Sequence, residues 1–354
     1  MTYKNVQALR GVAALMVVIG HASTFHLIVT GPLTIEAVTY SGVDIFFVIS
    51  GFIICTVATK PDANAWQFLV KRAGRIFPVY WFVLAVSAIA SSWFAVGSPW
   101  IWPMPARPAT DYIFLLTLTN RFIPQAWSMA YEIYFYAWIS AILLSPARWF
   151  WRVLGVLMMC QGGIVAAVAL RGGDTDLTVV TSGMVLQFGF GCAVAWACGR
   201  GYLRFSTLAV AIGFVGFACG AAWTLHNGST LSGLPRTATF GTGGAALLYA
   251  LVSLELRGRF VLPRMMQRLG DASYSIYLWH LLILTVFVRL LPVETFMTLT
   301  SRNTYGMVCV LTVIGVSFAS WRFLEAPMIR RVNRLLRGPR PVAQAEAVHA
   351  AGSG

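Results

Sequence analysis

The chain has 354 residues, of which 58% are hydrophobic and only 11% are charged, and its mean hydropathy is +0.72. Because a water-soluble globular domain carries about 25% charged residues, this composition excludes an ordinary soluble enzyme. The net charge of +14 leaves two explanations, a nucleic-acid-binding surface or the basic loops at the cytoplasmic face of a membrane protein.

Apolar runs recur along nearly the whole chain. A transmembrane helix needs about 20 mainly apolar residues, and this requirement predicts an all-α, polytopic transmembrane bundle of about ten helices. The predicted spans are 6–29, 42–58, 78–97, 127–145, 151–170, 178–198, 205–225, 236–256, 273–292 and 304–325. An even number of spans places both termini on the same side of the membrane.

The distribution of basic residues predicts the orientation. With the N-terminus inside, the inner segments hold 20 Lys and Arg residues and the outer segments hold six. Cytoplasmic loops carry this excess in membrane proteins, so both termini are predicted to be cytoplasmic. Membrane lipids then account for the basic charge, and no nucleic-acid partner is expected.

Three connecting segments stand out. Residues 98–126 are rich in Pro and Trp and predict an interfacial or partly re-entrant outer loop. Residues 66–78 alternate aromatic and basic side chains, which predicts an amphipathic surface helix that ends where a proline opens the third span. The domain organisation is therefore a transmembrane domain over 1–327 and a basic, then Ala/Gly-rich cytoplasmic tail over 328–354, expected to be disordered.

The N-terminal segment also resembles a secretory signal, because Lys4 and Arg10 precede an apolar run that ends in small residues. Cleavage would remove Arg10 and His21, so the hypotheses below require that the helix is retained. The six cysteines lie in or beside apolar runs without a CxxC pair. They are interpreted as small apolar residues, with no disulfide and no metal site.

Two ionisable residues lie in the first predicted helix, "LRGVAALMVVIGHASTF". An ionisable group at membrane depth costs about 2.5 to 3.5 kcal/mol on insertion scales. Arg10 and His21 are eleven residues apart, which places them on one helix face about 16 Å apart along the axis, with His21 near the bilayer centre. The alternative is a snorkelling arginine and a histidine that only hydrogen-bonds a neighbouring helix.

Two further ionisable residues are carboxylates in predicted spans. Asp44, in "SGVDIFFVISGF", is expected in the outer half of the second span, where it either caps the helix or orients an imidazole ring. Glu132, in "AWSMAYEIYFYAW", lies one turn inside a helix among aromatic residues that include Trp127 and Tyr131. An aromatic belt explains the rings but not the carboxylate, so a functional Glu132 is favoured over a structural hydrogen bonder.

Basic and imidazole side chains complete the candidate set. Arg72 and Arg75 are three residues apart on one helix face, an arrangement suited to phosphates, although a positive-inside cluster explains them equally. His280, in "DASYSIYLWH", either lines the same cavity as His21 or is a packed histidine. A local Arg322 to Glu325 contact is the simpler interpretation of "WRFLEAP".

Six motifs in this order resemble the acyltransferase 3 family of polytopic membrane acyltransferases: "LRGVAALMVVIGHA", "GVDIFFVISGFI", "KRAGRIFPVYW", "AWSMAYEIYFY", "SYSIYLWH" and "FLEAP". The resemblance runs from about residue 5 to 327 and is closest to members that acetylate exopolysaccharides. It implies transfer of an acyl group, usually acetyl from acetyl-CoA, to a hydroxyl of a surface carbohydrate or lipid-linked glycan at the bacterial cytoplasmic (inner) membrane.

Together, the residues and the resemblance predict one mechanism. Acyl-CoA, a co-substrate rather than a bound cofactor, would enter from the cytoplasm and pair with Arg10, Arg72 and Arg75. His21 would act as general base or acyl carrier. Two carboxylates, Asp44 and Glu132, would hold the imidazole ring. The side chains that would hold the sugar acceptor are Trp127, Tyr131 and His280.

Other functions were weighed against this one. A proton-coupled secondary transporter also has about ten helices and a few intramembrane acids, but it predicts internal repeats, which the sequence does not show. An acyltransferase acting on a small molecule fits the same motifs. A non-catalytic partner in a glycan-assembly machinery would leave Arg10 and His21 without a role, although contact of the enzyme with such machinery is a possible partnership.

Overall fold

The computed structural model describes residues 3–28, 38–93, 108–115, 118–173, 178–227, 232–295 and 298–336. Every regular element in these ranges is helical, which confirms the all-α prediction. The helices are α1 Lys4–Thr24, α2 Gly42–Ala58, α3 Ala65–Trp93, α4 Ala109–Ile113, α5 Trp127–Ile142, α6 Phe150–Leu170, α7 Met184–Gly199, α8 Ser206–Asn227, α9 Gly233–Leu256, α10 Arg264–Asp271, α11 Ser273–Leu290 and α12 Leu299–Leu336.

A helix occupies each of the ten predicted spans. Among the described residues, seven helices are long and apolar enough to cross a membrane, namely α1, α3, α6, α8, α9, α11 and α12. The apolar helices α2 and α7 are shorter, and α5 has 16 residues. A multi-pass membrane protein is thus supported, whereas the count of ten spans and the cytoplasmic termini stay predictions.

Two predicted boundaries differ from the structure. The helix α3 runs unbroken through Pro78, so the surface helix expected to end at this proline is the first half of a single long helix. Likewise, α12 continues past the predicted domain boundary at residue 327 to Leu336, and Val332 packs against Gly74 of α3. This packing holds the start of the tail in a helix, and 337–354 lie outside the described residues.

The centre of the bundle is a tight contact between α2 and α7. A Cβ atom on Gly51 would lie 2.0 Å from the Phe188 carbonyl oxygen, and a Cβ on Gly191 would lie 1.9 Å from the Val48 carbonyl oxygen. Only glycine permits this approach. By contrast, α6 and α8 are apolar and mostly exposed, as expected of helices that face lipid.

The polypeptide between α3 and α5 folds back against α3. The hydroxyl of Tyr80 donates to the Tyr112 carbonyl, and the Trp81 indole donates to the Ile113 carbonyl at 2.9 Å. Asn120 donates to the Tyr80 hydroxyl at 2.8 Å. Part of the predicted loop 98–126 is therefore anchored on the bundle, and 94–107 lie outside the described residues.

Candidate active site

A cavity with about 770 Å³ of empty space lies between α1, α2, α3, α5 and α11. We call it the arginine cavity. Its polar lining consists of Arg10, Ser50, Arg72, Arg75, Ser128, Glu132, Tyr136, Ser273, Tyr274 and Tyr277. The structure thus brings together the three predicted phosphate-binding arginines and Glu132, which come from three different helices.

The three arginines reach the cavity without a carboxylate partner. Arg10 is buried and donates from Nη1 to the Gln7 side chain at 2.8 Å. The Arg72 guanidinium lies 5.3 Å from the Phe68 ring centroid and 5.6 Å from that of Tyr136. Among the described residues none of the three forms an ion pair. The lining of the cavity itself holds three cations and a single carboxylate, and this excess of positive charge favours an anionic ligand.

Gln7 extends the surroundings of Arg10 toward α10. Its side-chain amide donates to the Asp271 carboxylate at 2.9 Å. Asp271 lies outside the long apolar helices, and partial burial raises the pKa of its carboxyl group above the usual aspartate range. Arg10 is thus held by an amide rather than directly by a carboxylate.

An adjoining cleft of about 1030 Å³ shares Arg10, Ile53 and Arg75 with the arginine cavity. Tyr3 and Lys60 line its other side. Tyr3 precedes α1 and Lys60 follows α2, so the cleft leads from the helix ends to the arginines. The cleft and the arginine cavity thus adjoin at Arg10, Ile53 and Arg75.

Glu132 is held inside the arginine cavity by two hydroxyl groups. Its Oε1 accepts from the Tyr136 hydroxyl at 2.8 Å and from the Ser50 hydroxyl at 3.1 Å. The carboxylate also lies within electrostatic range of Arg10 and Arg72. Within the described residues no contact joins Glu132 to His21, so the predicted orientation of the His21 ring by Glu132 is not observed.

His21 and His280 face each other, with ring centroids 5.0 Å apart. Nδ1 of His21 lies 2.9 Å from the Val17 carbonyl oxygen, and Nδ1 of His280 lies 2.8 Å from that of Tyr277. Because a carbonyl only accepts, each Nδ1 carries a proton, and each Nε2 is left as the basic nitrogen of the neutral ring. His280 is fully buried, and its Nε2 has no hydrogen-bond partner among the described residues.

His21 lies outside the arginine cavity and in the last turn of α1, which ends at Thr24. Its position near the bilayer centre stays a prediction. Its ring contacts that of Tyr40 at a centroid distance of 5.4 Å. The shared face of α1 nevertheless connects Arg10 to the histidine pair, since both residues are directed toward α11.

A short hydrogen-bonded chain connects the cavity to the histidines. Tyr277 lines the arginine cavity, and its hydroxyl lies 2.6 Å from the Ser128 hydroxyl and 2.8 Å from the Gln125 carbonyl oxygen. The backbone carbonyl of the same tyrosine accepts from His280. Tyr277 therefore separates the arginine cavity from His280 by the thickness of one residue. The sequence alone indicates no role for Tyr277, because Ser128 and Gln125 are about 150 residues away.

Asp44 has partners other than the imidazole that the sequence suggested. Arg236 donates to its carboxylate through Nε and Nη2 at 2.9 to 3.1 Å, and the Gln187 side chain donates to Oδ1 at 2.6 Å. The same arginine donates to the Tyr40 carbonyl at 3.2 Å. Asp44 is thus half of a buried ion pair between α2 and α9, beside the turn that carries Tyr40. Arg236 stands at the start of the predicted span 236–256, and its separation of 192 residues from Asp44 hid the pairing.

The remaining candidates lie at the edges of the site. The Trp127 ring lies 6.2 Å and the Tyr131 ring 5.6 Å from Phe47 of α2, and neither lines the arginine cavity. Glu325 is buried and accepts from the Ser275 hydroxyl at 2.8 Å, so Ser275, rather than the expected Arg322, is its observed partner. This contact occurs in the π-helical turn Trp321–Glu325.

Neither a disulfide nor a metal centre is present in the described part of the chain. All six cysteines are free; Cys160 and Cys219 are exposed and the other four are buried. No group of three or more His, Cys, Asp or Glu residues is arranged to hold a metal ion in these ranges.

Comparison with known proteins gives a family match and three curated relatives. The family described as acyltransferase domain matches residues 3–322. The exopolysaccharide production protein ExoZ of Rhizobium meliloti (strain 1021) is 29% identical over 82% of this chain and 90% of its own length. The putative membrane-bound transacylase BcsY of Komagataeibacter xylinus is 26% identical over 78% of this chain and 72% of its own length. The acyltransferase MdmB of Streptomyces mycarofaciens is 23% identical over 89% of this chain and 86% of its own length. No solved structure matches the chain at a significant level.

Proposed function

The chain belongs to the acyltransferase 3 family and is a membrane-embedded O-acyltransferase, and from this premise we propose that it moves an acetyl group from cytoplasmic acetyl-CoA to a hydroxyl of a surface polysaccharide or its lipid-linked precursor. The observation that carries the proposal is the arginine cavity, where three unpaired guanidinium groups converge beside the histidine pair. A proton-coupled transporter is set aside because the family and its named relatives are acyltransferases.

The arginine cavity is the proposed donor site. Arg72 and Arg75 grip the phosphates of acyl-CoA through charge-assisted hydrogen bonds, and Arg10 contacts the donor further inside. The Glu132 carboxylate accepts hydrogen bonds from the amide N–H groups of the pantetheine arm. Glu132 is therefore assigned to binding the donor rather than to orienting the His21 ring, because its observed neighbours line the arginine cavity. The apolar walls from α2 accommodate the rest of the arm.

The acyl thioester at the end of that arm reaches Tyr277, next to the histidines. Nε2 of His21 removes the proton from the acceptor hydroxyl as its oxygen bonds to the thioester carbonyl carbon. The carbon–sulfur bond then breaks, and the departing CoA thiolate receives the proton, which leaves free CoA and the ester. His280 supports His21 through the edge-to-face contact of the two rings.

The acceptor class rests on the relatives. ExoZ is described as an exopolysaccharide production protein, and the present chain shares most of its length with it. For a surface glycan assembled at the bacterial inner membrane, the acceptor hydroxyl and the acyl donor would approach from opposite ends of α1. The acceptor roles suggested for Trp127 and Tyr131 are not retained, because both rings pack on α2.

The decisive experiment measures transfer of label from radiolabelled acetyl-CoA by the protein in nanodiscs. The acceptor is glycan extracted from cells that make this protein and stripped of O-acyl groups by mild alkali. We expect wild type to label the glycan. His21→Ala should lose at least about 100-fold in rate, as removal of a general base does. The control His226→Ala should keep the wild-type rate, because His226 is exposed at the end of α8.

Donor binding is tested separately by CoA titration. Arg72→Ala is expected to weaken CoA binding at least tenfold, whereas Lys71→Ala, the neighbouring cation outside the cavity, is expected to bind normally. His21→Ala should bind CoA like wild type. Equal transfer by wild type and His21→Ala, or equal CoA binding by the Arg72 and Lys71 variants, would overturn the respective assignment. Label retained on wild-type protein but not on His21→Ala without acceptor would replace the base by an acyl-His21 intermediate.

A further inference from the structure

A second cavity lies at the opposite end of α3 and α11, two of the five helices that form the arginine cavity. It has about 540 Å³ of empty space, part of which is open to the surroundings. We call it the glutamine cavity, and its lining comprises Phe25, Ser87, Ser91, Arg121, Phe122, Pro124, Gln125, Leu281, Leu282 and Thr285. The arginine cavity uses the first halves of α3 and α11, and the glutamine cavity uses their second halves.

Two buried side chains of this cavity have oxygen atoms without a hydrogen-bond partner. Gln125 is 5% exposed; its amide nitrogen donates to the Leu278 carbonyl at 2.8 Å, and its Oε1 is unpaired among the described residues. Ser87 is 2% exposed, and its hydroxyl is likewise unpaired. Ser91, one turn later, instead donates to the Ser87 carbonyl at 2.7 Å. Buried polar groups are normally paired, so these two atoms are suited to a polar ligand.

The rest of the lining specifies the chemical class of that ligand. Ser91 and Thr285 add hydroxyl groups, and Phe25 and Phe122 add aromatic surface on which the apolar face of a sugar ring can stack. Arg121 is exposed, with its guanidinium 5.3 Å from the Phe122 centroid, and no carboxylate lines the cavity. Hydroxyl, amide and aromatic groups without an acid match a sugar unit.

The glutamine cavity also reaches the residues that end the donor path. The Gln125 backbone carbonyl accepts from the Tyr277 hydroxyl, and Leu281 directly follows His280 in α11. Phe25 lies one turn beyond His21. A ligand in this cavity is therefore separated from one in the arginine cavity by Tyr277 and the histidine pair.

From this placement we propose that the glutamine cavity binds the sugar unit of the acceptor, with Ser87 and Gln125 as its polar contacts. The inference rests on the proposed function and assigns its acceptor site to residues of α3, α11 and the segment before α5. It replaces Trp127 and Tyr131 in that role.

The test uses the de-O-acylated glycan assay with acceptor concentration varied. Ser87→Ala and Gln125→Leu are expected to raise the acceptor KM about 3- to 10-fold each, the equivalent of one hydrogen bond, while CoA binding is unchanged. Thr285→Phe, which fills the cavity, is expected to abolish labelling of the glycan at any acceptor concentration while CoA binding is retained.

The chain offers matched controls for both polar changes. Gln161 is also buried, donates to a backbone carbonyl at 2.7 Å and has an unpaired Oε1, and Ser317 is a buried serine with an unpaired hydroxyl; neither lines the cavity. Gln161→Leu and Ser317→Ala should leave the acceptor KM unchanged. Cavity variants with a wild-type acceptor KM would overturn the acceptor site alone, whereas a wild type that labels no glycan would overturn the proposed function itself.

Discussion

Neutralising Asp44 separates a structural ion pair from a catalytic carboxylate. The Asp44 side chain is 1% exposed and that of Arg236 is 14% exposed, with 2.9 Å between Nη2 and Oδ2. Removing one partner of a buried pair costs about 3–5 kcal/mol, because the other charge is left without compensation. In Asp44→Asn the new side-chain oxygen still accepts from Gln187, so the expected loss is that of the Arg236 pairing.

This loss is large enough to measure by thermal unfolding in detergent. At about 2–4 °C for each kcal/mol, as in domains of 150–250 residues, Asp44→Asn should melt roughly 6–20 °C below wild type, toward the smaller value for this longer chain. The double variant Asp44→Asn, Arg236→Met removes both charges and should recover most of the loss, because replacing a buried ion pair with an apolar side chain is often neutral. A coupling of at least about 2 kcal/mol between the two sites is expected.

Activity measurements decide the role of the carboxylate. Folded Asp44→Asn, assayed well below its melting temperature, should keep the pH dependence of the wild-type rate, because no observed contact joins Asp44 to His21. Arg236→Met alone should melt at least as low as Asp44→Asn. A variant with the wild-type melting temperature but little activity, or with a shifted pH profile, would refute this reasoning and restore Asp44 as the group that orients His21.

Three further changes test the packing and the donor site. Gly51→Ala and Gly191→Ala should each lose about 1–3 kcal/mol of stability through overpacking. The control Gly155→Ala, whose added Cβ has no atom within 4 Å, should melt like wild type. Equal melting temperatures for all three variants would refute the close contact of α2 and α7. Glu132→Gln retains an oxygen acceptor for Tyr136 and Ser50, so its melting temperature should stay close to that of wild type. Its KM for acetyl-CoA should rise at least about tenfold, and Glu294→Gln, at an exposed position, is the control. An unchanged KM would remove Glu132 from the donor site. Ser275→Ala should lower the stability by about 1–3 kcal/mol, measured by thermal unfolding, because the buried Glu325 carboxylate loses its donor. Ser317→Ala, which removes an unpaired hydroxyl, should lower the stability less. An equal loss of stability from both variants would count against the Glu325 contact.

The helices were predictable because their signal is local. Runs of apolar residues predict a helix wherever a span is needed, and a helix is found at each of the ten predicted positions. The grouping of Arg10, Arg72 and Arg75 was also predicted, since a charged group at membrane depth needs a polar cavity, whereas Glu132 was predicted beside His21 and lies with the arginines instead. Pro78 was misinterpreted because proline usually interrupts a helix, whereas α3 continues through it.

Pairings between distant segments were not predictable from one sequence. Arg236 lies 192 residues from Asp44, and its position between two apolar runs gave no sign that it would turn inward. Gln125 and Ser87 carry no charge, so nothing in their local sequence distinguished them from Gln161 or Ser317. Only the packing of α3, α11 and the segment before α5 brings Ser87 and Gln125 to the same cavity.

The distance between Arg10 and His21 follows from what an acyl transfer across a membrane requires. The phosphates of CoA have a high cost of entering hydrocarbon, so their binding residues must stay at one end of the helices. A polysaccharide hydroxyl is subject to the same constraint from the other end. Eleven residues of one helix correspond to about 16 Å, and this length lets a single rigid element carry the proposed donor contact at one end and the proposed base at the other. The donor arm, rather than either polar head, then has to cross the interior, which explains why an apolar wall from α2 lies between the two charged ends.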